Sequence, residues 1–167
     1  MKERILVAGI GNIFMGDDAF GVEVVRELMQ RPIPDAVCAE DFGIRSYDLA
    51  YAIIDGYEAT ILVDAVPRGE AAGTLYLIEP DLGEFGRPAS VDAHSMNPVA
   101  VLQLIHALGG QPGNLYLVGC EPGALETDEI GLSPRVRAAV PQAVEMIKSL
   151  IYRLLSENPT APTLKRS

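Results

Sequence analysis

The stretch AVPRGEAAG, residues 65–73, joins two apolar runs, ATILVD at 59–64 and TLYLIEP at 74–80. Nine residues holding one proline and two glycines cannot supply the crossover helix that a parallel strand pair needs. The second run is therefore expected to turn back on the first as an antiparallel hairpin. This link is the one break in an otherwise regular alternation of strands and helices.

The alternation starts with RILVAG at 4–9, which reads as a buried strand. DAFGVEVVRELMQ at 18–30 has Val22, Val25, Leu28 and Met29 at helical spacing, and Pro32 and Pro34 stop that helix. AVCAE at 36–40 makes a second strand, and a helix over 46–54 puts Leu49, Ile53 and Ile54 on one side. ATILVD is the third strand, continuously apolar as a central parallel strand is. After the break come a helix at about 97–108 and a fifth strand, NLYLVG, at 114–119. A long final helix over 133–155 has Ser133 as N-cap, Pro134 in its first turn and Pro141 as a candidate kink. The pattern predicts one α/β domain over 1–156 and a loose tail over 157–167. Its fold class is α/β, three layers (α/β/α), with a mixed five-stranded sheet whose strand 4 is antiparallel.

This topology sorts the loops. Strands 1, 2 and 3 end at one edge, here called the top, while strand 4 runs downward. If strand 5 is parallel to strand 1, the helix before it descends from the top. The segment VDAHSMNP, residues 91–98, then brings His94 to the top as well. Open α/β sheets bind their ligands beyond the carboxyl ends of the strands.

The net charge of −10 excludes nucleic acid and anionic membranes as partners and favours cations in a cleft. No apolar stretch approaches the ~20 residues of a membrane span, and the short run after Met1-Lys2-Glu3-Arg4 is no signal-peptide core. Cys38 and Cys120 stand far apart without metal-ligand spacing, so both read as buried small residues, Cys120 with a lesser chance of facing the site. The expectation is a cytoplasmic protein, monomeric in isolation.

After the first strand, Gly9 and Gly11 begin a dinucleotide fingerprint, but Phe14 stands where its third glycine belongs. Asp17 and Asp18 would moreover repel a pyrophosphate at the helix start. Acids gathered at a strand end suit a cation better. Asp17-Asp18, Asp64 at the end of strand 3 and His94 converge at the top. Two carboxylates and an imidazole suit zinc, nickel, iron or manganese. Asp41, in EDFG after strand 2, is a fourth acid on that edge. Against this stand simpler readings: Asp17 or Asp18 as a helix cap, Asp64 as the start of a surface turn, His94 as a hydrogen-bonded loop histidine. His106, near a helix C-terminus, reads as structural.

GIGNIFMGDDAFG, residues 9–21, resembles the G-x-G-N-x-x-x-x-D-[DE]-x-x-G signature of the nickel–iron hydrogenase maturation endopeptidases, and ILVDAV and DAHSMNP resemble that family's later site segments. The likeness runs in order from about residue 4 to residue 155. It implies a twisted five-stranded mixed sheet between helices. It implies one cut that removes a C-terminal extension from the hydrogenase large-subunit precursor after nickel insertion. The implied catalytic and metal-contacting positions are Asp18, Asp64 and His94, acting as in an aspartic-type endopeptidase or on nickel carried by the substrate rather than resident. Other divalent ions could occupy the same site. Where the family often shows Asp-Gly-Gly after strand 2, this chain has Asp41-Phe42-Gly43. Two other functions stay open: a nucleotide-binding oxidoreductase and a non-catalytic nickel-sensing chaperone.

Overall fold

The computed structural model describes residues 4–79, 98–123 and 130–157. Five strands form one sheet: β1 (Ile5–Ile10), β2 (Val37–Gly43), β3 (Ala59–Ala65), β4 (Leu75–Ile78) and β5 (Asn114–Cys120). Four helices cover it: α1 (Phe20–Met29), α2 (Ser46–Ile54), α3 (Pro98–Ala107) and α4 (Pro134–Glu157). A short 3-10 turn over Gly16–Ala19 precedes α1, so the helix expected from residue 18 begins two residues later.

The strand order is β2-β1-β3-β5-β4. β1, β2, β3 and β5 are parallel, and β4 alone is antiparallel. The direction of strand 4 is as the short link demanded, but its neighbour is not. β4 pairs with β5, with Leu75 opposite Cys120, and β5 lies between it and β3. The expected hairpin is therefore corrected. Two strand spacings are only ~10 Å, so the link steps over the top of β5 without a helix. Val66 N–H donates to the Cys120 carbonyl at 2.9 Å on the way.

Strand alternation sets the two cores. Ile5, Val7, Ile61, Val63 and Val118 face α1 and α4, packing on Val24, Val25, Leu28, Val144, Ile147 and Ile151. Leu6, Ala8, Ile10, Leu62 and Leu117 face α2 and α3, packing on Leu49, Ile53, Val101 and Ile105. Helices on both faces explain why β1 and β3 are buried at every position. Met29, expected on the apolar side of α1, is exposed, and Val24 takes the inward position. α4 continues through Pro141.

Candidate active site

β1 lies between β2 and β3, so the chain leaves β1 to one side and returns on the other. The crevice of an α/β sheet opens at such a switch point, beyond the carboxyl ends of the two central strands. The loop after β1 carries Asp17 and Asp18, and β3 ends in Asp64-Ala65.

Glycines fold this loop tightly. Gly11 has φ +137°, and a Cβ there would run into the Asp18 carbonyl oxygen. Gly21, in the first turn of α1, sits against the carbonyl oxygens of Val63 and Ile10, leaving no room for a side chain. The spacing of the first motif thus brings the acid turn down onto the tops of β1 and β3.

The two adjacent acids then part company. Asp17 is 1% exposed and points back into the protein. Its carboxylate accepts Ser133 N–H at 2.6 Å, Ser133 Oγ–H at 2.8 Å and Gly123 N–H at 2.8 Å. Asp17 ties the acid turn to the segment after β5 and to the start of α4. The Ser133 hydroxyl, expected to cap α4, is donated to this carboxylate.

Asp18 is half-buried and accepts Asn12 N–H at 2.7 Å. It is not a helix cap: Ala19 holds that position in α1, with no side-chain hydrogen bond. Burial raises the Asp18 pKa, and the Asn12 N–H opposes the rise. Asp64 is 3% exposed, so no surface turn begins there. Its Oδ1 accepts the N–H of Ala65 at 2.8 Å. Burial, and then the charge of Asp18, push the Asp64 carboxyl well above the usual carboxylate range, against the effect of the Ala65 N–H. The Asp18 charge thus bears on the ionisation of Asp64. A cation between them would relieve both shifts, and two oxygen donors suit one.

His94 lies outside the described residues. Among the described residues, no three His, Cys, Asp or Glu side chains gather as a metal cluster. The helix that follows His94 in sequence does descend: α3 ends where Gly110 packs on Ile54 of α2, and Gly113 sits on the carbonyls of Tyr57 and Glu58 just before β3.

Other candidates fall away. Asp41 lies within β2, which runs three residues past its expected end, and pairs with Arg26 at 3.0 Å. It is a salt-bridged edge acid and no member of the acid pair. Cys120 is buried, and its thiol is pushed up to about 11 by burial and the Asp17 charge, against a Gly73 backbone contact. Such a thiol is no nucleophile at neutral pH. Cys38 is half-buried and His106 exposed on α3. An open groove of about 720 Å3 lies between β2 and α2, lined by Glu40, Phe42, Arg45 and Asp48 among others, and neither acid of the pair reaches it.

Sequence reasoning missed Glu121. It follows β5, is 5% exposed, and accepts N–H groups of Arg68, Gly69 and Glu70 at 2.9, 3.3 and 3.2 Å and the Tyr76 hydroxyl at 2.6 Å. The Tyr76 hydroxyl leads in holding its carboxyl below the usual range, with the three N–H groups helping against burial. The Tyr76 phenol is pushed up to about 12, by burial first and then by Glu121. The signal was available: an acid closing a continuous apolar strand, the argument applied to Asp64.

Residues 22–150 match the family model described as hydrogenase maturation protease. The chain belongs to this family. It is 33% identical over 145 residues to the hydrogenase 2 maturation protease of Escherichia coli strain K12, covering 86% of this chain and 88% of the relative. The structure of the E. coli hydrogenase maturating endopeptidase HybD superposes with a TM-score of 0.72 at 32% identity, over 93% of this chain and 94% of the other. A hydrogenase 2 maturation peptidase from a Thaumarchaeota archaeon superposes with a TM-score of 0.69 at 32% identity, over 89% and 98%. As a maturation protease the chain is a peptidase, and its mixed sheet with β4 antiparallel is the fold of the relatives. Asp18 precedes the stretch matched by the family model, whereas Asp64 lies within it. No helix among the described residues is long and apolar enough to cross a membrane.

Proposed function

We propose that this hydrogenase maturation protease removes the C-terminal extension of a nickel-loaded hydrogenase large-subunit precursor, and that Asp18, Asp64 and His94 carry the reaction. The observation that supports this most is the buried Asp64 carboxyl at the switch point of the sheet, close enough to half-buried Asp18 to feel its charge. Each of these acids would be more stable beside a cation, and a substrate that brings a metal ion supplies one. The nickel is then substrate cargo, and the acids act as its recognition element. A second role fits the same geometry: a carboxylate whose pKa is raised by burial is suited to take a proton from water attacking the scissile carbonyl. His94, four residues before the head of α3 in sequence, completes the donor set by its imidazole nitrogen.

The oxidoreductase alternative loses support from the same loop. Asp17 and Asp18 lie in the 3-10 turn that leads into α1, at the helix start where a pyrophosphate would lie. The chaperone alternative differs from the protease only in lacking the cut. A purified precursor incubated with the protein, with and without nickel, and read by intact mass separates them. Loss of one C-terminal peptide only with nickel is the expected result. Asp18→Asn, Asp64→Asn and His94→Ala should each abolish it. Full processing by all three variants overturns the assignment.

A further inference from the structure

Asp17 is buried next to a residue assigned to the reaction, yet has no part in that reaction itself. Burying a carboxylate is costly unless its surroundings are built for it. Here they are. Ser133 N–H, Ser133 Oγ–H and Gly123 N–H converge on its two oxygens at 2.6, 2.8 and 2.8 Å. Ser133 stands immediately before α4, a helix of 24 residues whose N-terminal end favours a negative group. A Cβ on Gly123 would come within 3.3 Å of Asp17 Oδ2 and 3.4 Å of Ala72 Cβ and Ser133 Oγ, so the space around the carboxylate is full.

The partners are 106 and 116 residues away in sequence. One side chain thus joins the acid turn to the chain just after β5 and to the head of α4. The turn has little else of this kind. Met15, at its N-cap, makes no side-chain capping hydrogen bond, and neither does Ala19 ahead of α1. The Asp18 carboxylate accepts Asn12 N–H, but Asn12 belongs to the same loop and moves with it.

In a 3-10 helix successive side chains point ~120° apart, because three residues make one turn. The direction of Asp17 therefore dictates the direction of Asp18. Gly21 sets how closely the turn approaches β1 and β3, since its packing against the Ile10 and Val63 carbonyls limits the distance. Rotation about the axis of the turn is a separate freedom, and the Asp17 carboxylate is placed to remove it.

We propose that Asp17 is a positioning residue for the cut: locked by Ser133 and Gly123, it sets the rotation of the acid turn and so aims Asp18 towards Asp64. It touches neither substrate nor metal and acts through its neighbour. The inference rests on the role of Asp18 proposed above and adds what holds that acid in place. A reacting group displaced by ~1 Å can cost ~100-fold in rate, so a latch far weaker than the fold as a whole governs activity.

The test measures kcat/KM on a nickel-loaded large-subunit precursor by intact mass, at a temperature where thermal melts show every protein folded. Asp17→Asn keeps the size of the side chain but turns an amide N–H2 towards donors. It should lose about 30-fold or more. Ser133→Ala removes one of the hydrogen bonds and should lose about fivefold, whereas Ser133→Thr keeps the hydroxyl and should restore the rate. Val144→Ala, in the buried face of α4, is the control: it should lower the melting temperature and leave kcat/KM unchanged. Normal cleavage by Asp17→Asn, beside loss of cleavage in Asp18→Asn, overturns the latch alone. Normal cleavage by Asp18→Asn overturns the site assignment and the latch with it. A control that loses as much activity as Asp17→Asn for the same drop in melting temperature makes Asp17 a structural anchor only, and overturns the proposal. Should Asp17→Asn fail to fold, the Ser133 pair decides: equal rates for Ser133→Ala and Ser133→Thr overturn it.

Discussion

Two groups of acids sit at the top of the same sheet and are solvated in opposite ways. Asp17 and Glu121 are well supplied: among the described residues, the first accepts at least three hydrogen bonds and the second four. Among the described residues, Asp18 and Asp64 each accept one from a backbone N–H, and Asp18 adds its charge to the burial that disfavours ionised Asp64. Burial alone does not distinguish them, since Asp17, Glu121 and Asp64 are all 5% exposed or less. The number of donors does. A well-supplied carboxylate has used its lone pairs on the protein and holds the loops around the site. An under-supplied one retains lone pairs for an incoming cation or proton.

The sharpest way to break this contrast is in activity. Asp64→Asn keeps the shape of the side chain and removes its charge. Precursor processing should fall by ~100-fold or more, on the scale of losing a catalytic acid or base. The same change should leave the metal-free protein as stable as before or raise its melting temperature by ~2–4 °C, the shift for ~1 kcal/mol in a domain this size. A variant that both processes normally and melts lower would place Asp64 with the well-supplied acids.

Asp17→Ala tests the other side. It strands the N–H groups of Gly123 and Ser133 and the Ser133 hydroxyl, so the protein should lose about 3 kcal/mol in urea unfolding. Unchanged stability would show that these donors find other partners.

The pH dependence should differ in sign. Asp18 and Asp64 have folded pKa values raised above their unfolded ones. The folded state therefore holds their protons more tightly, and their repulsion costs stability as pH rises through that window. In a metal-free melt from pH 7 down towards pH 5, wild type should gain stability relative to Asp64→Asn. Glu121 is the reverse, because its folded pKa is lowered. Its contribution is present above the unfolded value, ~4.3, and is lost as pH falls through the folded one. Glu121→Gln should flatten the acid side of the stability curve below about pH 4, a smaller effect that sharpens the comparison without touching processing. A curve as steep as that of wild type would mean that the Tyr76 hydroxyl and loop 68–70 are held by other contacts.

Much was legible in the residues. Continuous apolar runs located β1, β3 and β5 because helices cover both faces of those strands, and the nine-residue link fixed the direction of β4. The glycine spacing of GIGNIFMGDDAFG marked the acid turn, and the expense of closing an apolar strand with an acid marked Asp64. Three matters lay beyond a one-dimensional reading. The strand beside β4 does not follow from loop length, because the nine-residue link is short enough only to fix direction, and β4 pairs with β5 rather than β3. Asp17 and Asp18 are adjacent and chemically identical, so only the 3-10 turn decides which faces Ser133 and which faces Asp64. Asp41 shared the edge in sequence logic, but the extra residues of β2 carried it to Arg26. Residue types fix what each group can do in water. Only tertiary structure sets how many donors a buried carboxylate meets, and that number separates an anchor from an acid available to substrate.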